Sequence, residues 1–222
     1  MTGSPERPVL VVATTNPGKV REFAHAFGEL GFDVKSLADF PPVPSVEETG
    51  DSFMANAELK ARAVAGRLGI ACIADDSGLC VKALGGEPGV RSARYAGEPA
   101  DDRKNIAKLL AELEKRGASF DPPPGFPLAP GVRLISEAAF VAALVYFDPA
   151  DGTLLRAEGT CPGYIADRPR GTGGFGYDPV FYVPEYGRTM AELSIAEKQA
   201  ISHRGRAIRL LVSLMSRTRG MS

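Results

Sequence analysis

The stretch PVLVVATTNPGKVREFAHAFGELG, residues 8–31, decides the fold class. Pro8–Thr14 is a continuous apolar run and reads as a buried strand. Thr15-Asn16-Pro17-Gly18-Lys19 follows, and then Val20, Phe23, Phe27 and Leu30 recur at helical spacing. Asn16 suits a helix N-cap and Pro17 the first helical position. Gly31 ends the helix and Phe32–Leu37 supplies a second short strand. A buried strand turning straight into an amphipathic helix and back to a strand is the opening of an α/β protein.

The rest of the chain extends that pattern. Ala38–Gly50, rich in Pro and acids, reads as an ordered loop, and Asp51–Leu68 as a helix stopped by Gly69. Ile70–Ala74 reads as an apolar strand running into Asp75-Asp76-Ser77-Gly78, with a further strand over Leu79–Ala83. Gly85–Gly97 is loop-like. Ala100–Arg116 is a helix with acids early and bases late, as its dipole favours. Residues 117–133 carry five prolines and read as a solvent-exposed excursion. Ala138–Phe147 and Thr153–Gly159 flank Asp151-Gly152, a hairpin signal. A strand around Val180–Val183 follows. Ser194 and Glu197 form a capping box for a short helix to about Ile201, and Ser202 caps a last helix. We expect an elongated mixed β-sheet with flanking helices, and a single domain over residues 1–222.

Composition narrows the function. The chain has 222 residues, 26 Lys+Arg against 27 Asp+Glu, and a net charge of −1, so the basic excess of a nucleic-acid binder is missing. At this length roughly 70% of the unfolded surface is buried on folding, enough for a core without disulfides or structural metal. Three cysteines (Cys72, Cys80 and Cys161) without CxxC spacing fit reduced thiols in a cytoplasmic protein. Two histidines are too few for a His-rich zinc site, while carboxylates leave magnesium open. No run of 18 apolar residues spans a membrane, and Met1 to Pro8 lacks an apolar signal core.

Five segments have the composition of a chemical site. Thr14 to Lys19 joins a strand end to a helix start, where N–H groups, hydroxyls and the Lys19 charge favour an anion; it lacks Walker A spacing. Asp75-Asp76 follows an apolar strand, and two adjacent carboxylates repel and call for something cationic nearby, such as magnesium; the alternative is an Asp-Ser-Gly turn with side chains bonded to local backbone. Glu47-Glu48-Thr49-Gly50 precedes a helix and serves as dipole partner or, close to Asp76, as metal ligand. Gly171–Asp178 interleaves small residues with Phe175 and Tyr177, so a flat ligand can approach its backbone and stack on a ring. Lys198, His203 and Arg204 make a donor-rich cluster, or else a solvated basic surface near a cap.

These segments together resemble the inosine triphosphate pyrophosphatase family, the house-cleaning enzymes for non-standard purine nucleoside triphosphates. The matching stretches are TTNPGKVREF (14–23), EETGDSFMANAELKARA (47–63), ADDSGLCVKALGGEPGVRSARYAG (74–97), GTGGFGYDPVF (171–181) and AEKQAISHRGRA (196–207). The resemblance implies a two-lobed sheet with the active cleft between the lobes, a homodimer, and a magnesium requirement. It implies cleavage of ITP, dITP or XTP between the α and β phosphates. It places Thr14, Thr15, Asn16, Pro17, Gly18 and Lys19 on the triphosphate, Glu47 and Asp76 on the metal, and Asp76 as proton acceptor. Asp75 and Glu48 become secondary contacts, with Ser77 on the substrate side. Phe175 stacks on the base beside Gly176, Tyr177 and Asp178, and Lys198, His203 and Arg204 complete the pocket. Donors there satisfy a 6-oxo group and leave an adenine amine facing donors, which gives discrimination. Two departures stand out: Cys161-Pro162-Gly163 where the family often has Trp-Pro-Gly, and the length of 117–133. Two alternatives stay open: a Maf-like pyrophosphatase for other nucleotides, and a nucleotide sensor without catalysis.

Overall fold

The computed structural model describes residues 7–218; most of the polar N-terminal stretch, up to residue 6, lies outside the described residues. Seven strands are hydrogen-bonded in the order β2-β1-β3-β4-β5-β6-β7. They are β1 (Val9–Val12), β2 (Asp33–Ser36), β3 (Cys72–Val81), β4 (Leu134–Phe147), β5 (Leu154–Ala166), β6 (Phe181–Val183) and β7 (Arg188–Thr189). Among the described residues five α-helices accompany them: α1 (Pro17–Gly28), α2 (Phe53–Leu68), α3 (Asp102–Lys115), α4 (Ile195–Ile201) and α5 (His203–Thr218). The sheet is mixed, as expected. β1 runs parallel to β2 and β3, whereas β5, β6 and β7 pair antiparallel. Among the described residues no helix is long and apolar enough to cross a membrane.

The chain divides into two compact units. The first comprises Met1–Asp76, Ala142–Gly159 and Arg206–Ser222. In its core Leu10 and Val12 of β1 meet Phe23 and Phe27 of α1 together with Ala207, Ile208, Leu211 and Met215 of α5. Phe23 and Phe27, one helical turn apart, stack with ring centroids 6.0 Å apart. The second unit comprises Ser77–Val141 and Thr160–Gly205. Its core joins Leu79 and Val81 of β3 to Leu109 and Leu113 of α3, Phe140 of β4 and Phe181 of β6. β4 records a change of environment along one strand. Leu134–Val141 alternates between buried and half-buried, whereas Ala142–Tyr146 is buried at every position.

Helix ends follow the local chemistry read from the sequence. Asn16 caps α1 with Pro17 in its first turn, and Ser194 and Glu197 form the reciprocal box that opens α4. Gly205 N donates to Ser202 Oγ at the start of α5 (3.3 Å). α2 begins two residues later than expected because Ser52, not an earlier residue, accepts from Ala55 N. α3 starts at Asp102 because Asp101 is its cap.

One expectation is corrected. Ile70–Ala74 and Leu79–Ala83 are not separate strands flanking a turn. β3 runs without interruption from Cys72 to Val81, and Asp75-Asp76-Ser77-Gly78 lies inside it. Lys82–Leu84 is a helical turn. Residues 117–133 are largely exposed and irregular, as expected, but they are fastened down. Phe120 and Phe126 pack on Tyr164 with centroids 4.7 and 5.1 Å away. The buried Tyr182 hydroxyl donates to Pro127 O (2.7 Å) and accepts from Ala129 N (2.9 Å). Tyr182→Phe removes both bonds. It is expected to lower stability by about 1–3 kcal/mol and to expose residues 117–133 to limited proteolysis, measured against the parent by urea unfolding and peptide mapping.

Candidate active site

β1 delivers the chain to Thr14, where the turn into α1 is held by side chains. Thr14 Oγ1 accepts from Asn16 N (3.1 Å), and Asn16 Oδ1 accepts from Gly18 N (2.8 Å) and Lys19 N (3.2 Å). The helix-start donors expected to be open to an anion are therefore partly engaged by Asn16. Thr15, Asn16 and Pro17 remain exposed. Lys19, in the first turn of α1, places Nζ 3.2 Å from Asp75 Oδ2.

Asp75 and Asp76 sit at successive positions of β3, so their side chains leave opposite faces of the strand. Asp75 is buried and ion-paired with Lys19. Asp76 is half-buried against α2. Burial pushes its carboxyl above the ordinary 3.8. A hydrogen bond from Asn56 and the Lys60 charge lower it, while the charges of Glu48 and Asp75 raise it. Lys60 also bonds to Asp75 O (3.4 Å) and to Glu48 Oε1 (2.7 Å). The cation that adjacent aspartates demand is thus supplied twice, by Lys19 and by Lys60. Glu47, next to Glu48 in the loop before α2, is exposed.

Among the described residues no group of three or more His, Cys, Asp and Glu side chains stands ready to hold a metal ion. The carboxylates that do lie near one another are Asp76 and Glu48, with Glu47 exposed beside Glu48 in the same loop. Magnesium takes one or two carboxylates and completes its shell with water and substrate phosphates, so this donor set fits magnesium and does not fit zinc.

In the second unit the Gly171–Asp178 loop is built around one carboxylate. Asp178 is buried; its Oδ2 accepts from Phe175 N (3.0 Å) and is ion-paired with Lys198 Nζ. Gly174 has φ +74° and no room for a side chain, because a Cβ there would lie 2.0 Å from Asp178 Oδ2. Lys198 Nζ lies 4.7 Å over the Phe175 ring, whose face is otherwise open at 70% exposure. Gly176 N donates to Asp102 Oδ2 (2.7 Å), which ties the loop to the first turn of α3.

Tyr177 has a different surrounding from its loop neighbours. Its ring belongs to the core of the second unit and its hydroxyl donates to Ser92 O (2.8 Å). Arg204 is also buried and reaches Ser77 Oγ (3.4 Å). His203 stacks on Phe140 at 5.2 Å. Lys198, His203 and Arg204 are therefore not a solvated basic surface, since each is engaged by a different residue of its own unit.

The structure brings together Lys19 with Asp75, Asp76 with the Glu48 loop, Phe175 with Asp178 and Lys198, and Ser77 with Arg204. Sequence reasoning missed Asn56, Lys60 and Asp102. Asn56 and Lys60 stand four apart among Phe53, Ala57, Ala61 and Val64, the face of α2 that faces inward. Polar residues on an apolar helical stripe were the available signal.

Three comparisons place the chain among known proteins. The sequence pattern of the Ham1 family matches residues 10–122 and 128–214. A dITP/XTP pyrophosphatase of Geobacillus kaustophilus is 54% identical over 199 residues, covering 90% of each chain. The structure of the Staphylococcus aureus Ham1 protein superposes with a TM-score of 0.80 at 41% identity, covering 94% of this chain and 98% of that one. A Ham1 protein from Coxiella burnetii superposes with a TM-score of 0.81 at 37% identity, covering 95% and 99%.

The raised Asp76 pKa fixes the sign of a stability effect. Folding favours the protonated form, so ionised Asp76 weakens the metal-free fold as pH rises from 3.8 through its folded pKa. In chelator, Asp76→Asn is expected to melt above the parent at pH 7. That advantage shrinks as the pH is lowered toward 3.8, measured by thermal denaturation across pH.

Proposed function

The chain belongs to the Ham1 family, and on that premise we propose that it hydrolyses non-standard purine nucleoside triphosphates (dITP, ITP and XTP) to the monophosphate and pyrophosphate. It is a nucleoside triphosphate hydrolase, as its relatives are named. The observation that carries the finer reading is the contrast between two neighbouring carboxylates. Asp75 is neutralised by Lys19, whereas Asp76 is held toward its protonated form by burial. Two acids whose environments differ in this way divide their tasks. Asp76 orients water and accepts its proton for attack on the α phosphorus, while Asp75 holds Lys19 at the phosphate-binding turn. Lys19 and Lys60 offset triphosphate charge as the anhydride breaks.

Glu47 and Asp76 would hold magnesium, which, when bound, neutralises phosphate oxygens and activates the leaving pyrophosphate. Thr14 to Gly18 line the triphosphate turn. Phe175 offers its exposed ring to the base, with Gly176, Tyr177 and Asp178 shaping the loop and Ser77 on the substrate side. Lys198, His203 and Arg204 set the preference for a 6-oxo purine, because a site built of donors leaves an amine unsatisfied. A homodimer acting in the cytoplasm completes the reading and rests on the family resemblance.

The test is turnover of dITP, ITP, XTP, GTP, ATP and pyrimidine triphosphates with magnesium, with pyrophosphate and orthophosphate assayed separately. Pyrophosphate released selectively from the inosine and xanthosine substrates is expected. Orthophosphate release or a pyrimidine preference contradicts the reading and favours a Maf-like activity. Tight ITP binding without turnover favours a sensor. Arg204→Ala is expected to lower the ratio of dITP to dATP turnover by about tenfold or more. An unchanged ratio removes Arg204 from selectivity.

A further inference from the structure

Asn56 is almost wholly buried, at 1% exposure, yet it is polar. A buried amide persists where both of its ends are satisfied. Its Oδ1 accepts from Gly50 N at 2.7 Å. That bond fixes the amide's orientation and directs Nδ2, which can only donate, to the Asp76 carboxylate with which Asn56 shares a hydrogen bond. One side chain therefore joins the end of the Glu47–Gly50 loop to the acid on β3. The loop closes tightly on this anchor. A Cβ at Gly50 would lie 2.7 Å from Asn56 Oδ1 and 2.8 Å from Ala55 Cβ, so only glycine brings the backbone this near. Asn56 itself is held by α2, with its N–H donating to Ser52 O (3.1 Å). On the next turn Lys60 pairs with Glu48 and holds the same loop from its side chain.

We propose that Asn56 is a positioning residue that sets the acidic Glu47–Glu48 loop against Asp76, so that the loop and strand carboxylates receive the divalent cation as one preassembled pair. The proposal rests on the metal reading given under the proposed function. It differs from a packing role because one amide serves the backbone of the loop and the carboxylate of the strand at once. Residues that orient metal ligands without touching the metal typically contribute about 10–100-fold in metal affinity.

The experiment is Mn2+ binding, read from the electron paramagnetic resonance of free Mn2+, with the α,β-methylene analogue of ITP present. It is run on the full chain, on Asn56→Ala and on Gly50→Ala. Asn56→Ala removes the anchor, and Gly50→Ala pushes the loop off it. Both are expected to raise the Mn2+ dissociation constant about 10–100-fold. The ratio of dITP to dATP turnover stays at the parent value, because the base loop is untouched. Should Asn56→Ala fail to fold, Gly50→Ala carries the test alone, since its substitution lies in a loop. Parent-like Mn2+ affinity in the folded variants overturns the proposal, whatever happens to their melting temperatures. A wild-type chain that turns over dITP but binds no Mn2+ overturns the metal reading, and this inference with it.

Discussion

Two aspartates stand side by side in the middle of a ten-residue strand, and the surrounding first unit is organised by the need to accommodate them. Adjacent carboxylates repel, and partial burial sharpens the repulsion. Opposite strand faces separate the problem into two. On one face α1 brings Lys19 to Asp75. On the other α2 brings Asn56 to Asp76 and Lys60 to the Glu48 loop. The arrangement leaves one acid neutralised and the other strained toward its protonated form. That asymmetry gives two identical side chains different surroundings, which is the basis of the roles proposed for them.

The Gly171–Asp178 loop of the second unit also holds a buried carboxylate with a lysine partner. Asp178 is buried and engaged by Phe175 N and Lys198, so its carboxylate acts on the loop's own conformation. Gly174 yields the space, and Asp102 holds Gly176 from α3. What the loop presents outward is the Phe175 ring, with the Lys198 ammonium over it.

Much of this was legible locally. Asn16, Pro17, Ser194 and Glu197 announce helix starts through bonds that span three or four residues, and the structure contains those bonds. The course of β3 was not legible, because Asp-Asp-Ser-Gly has turn composition. It is kept extended by partners distant in sequence, including Lys19, Lys60 and Ser92, whose Oγ accepts from Leu79 N. Tyr177 misled for a related reason. Its neighbours make a glycine-rich ligand loop, while its ring is claimed by the core and its hydroxyl by Ser92 O. Asn56 carries no local signal of its partner, since nothing nearby in sequence reveals that Gly50, six residues earlier, donates to it. The candidate site was thus readable as a set of segments, and its internal division of labour was a matter of tertiary contact.

The proposed division of roles between the two aspartates is open to a direct test. The decisive measurement is kcat on dITP for Asp76→Asn beside Asp75→Asn, each at saturating magnesium and corrected for folded fraction. Loss of a proton acceptor lowers kcat by about 10²–10⁴-fold, so Asp76→Asn is predicted to fall in that range. Asp75→Asn is predicted to lose at least about tenfold less while melting earlier than the parent. Near-parent turnover in Asp76→Asn, or equal losses in the two variants, would contradict it.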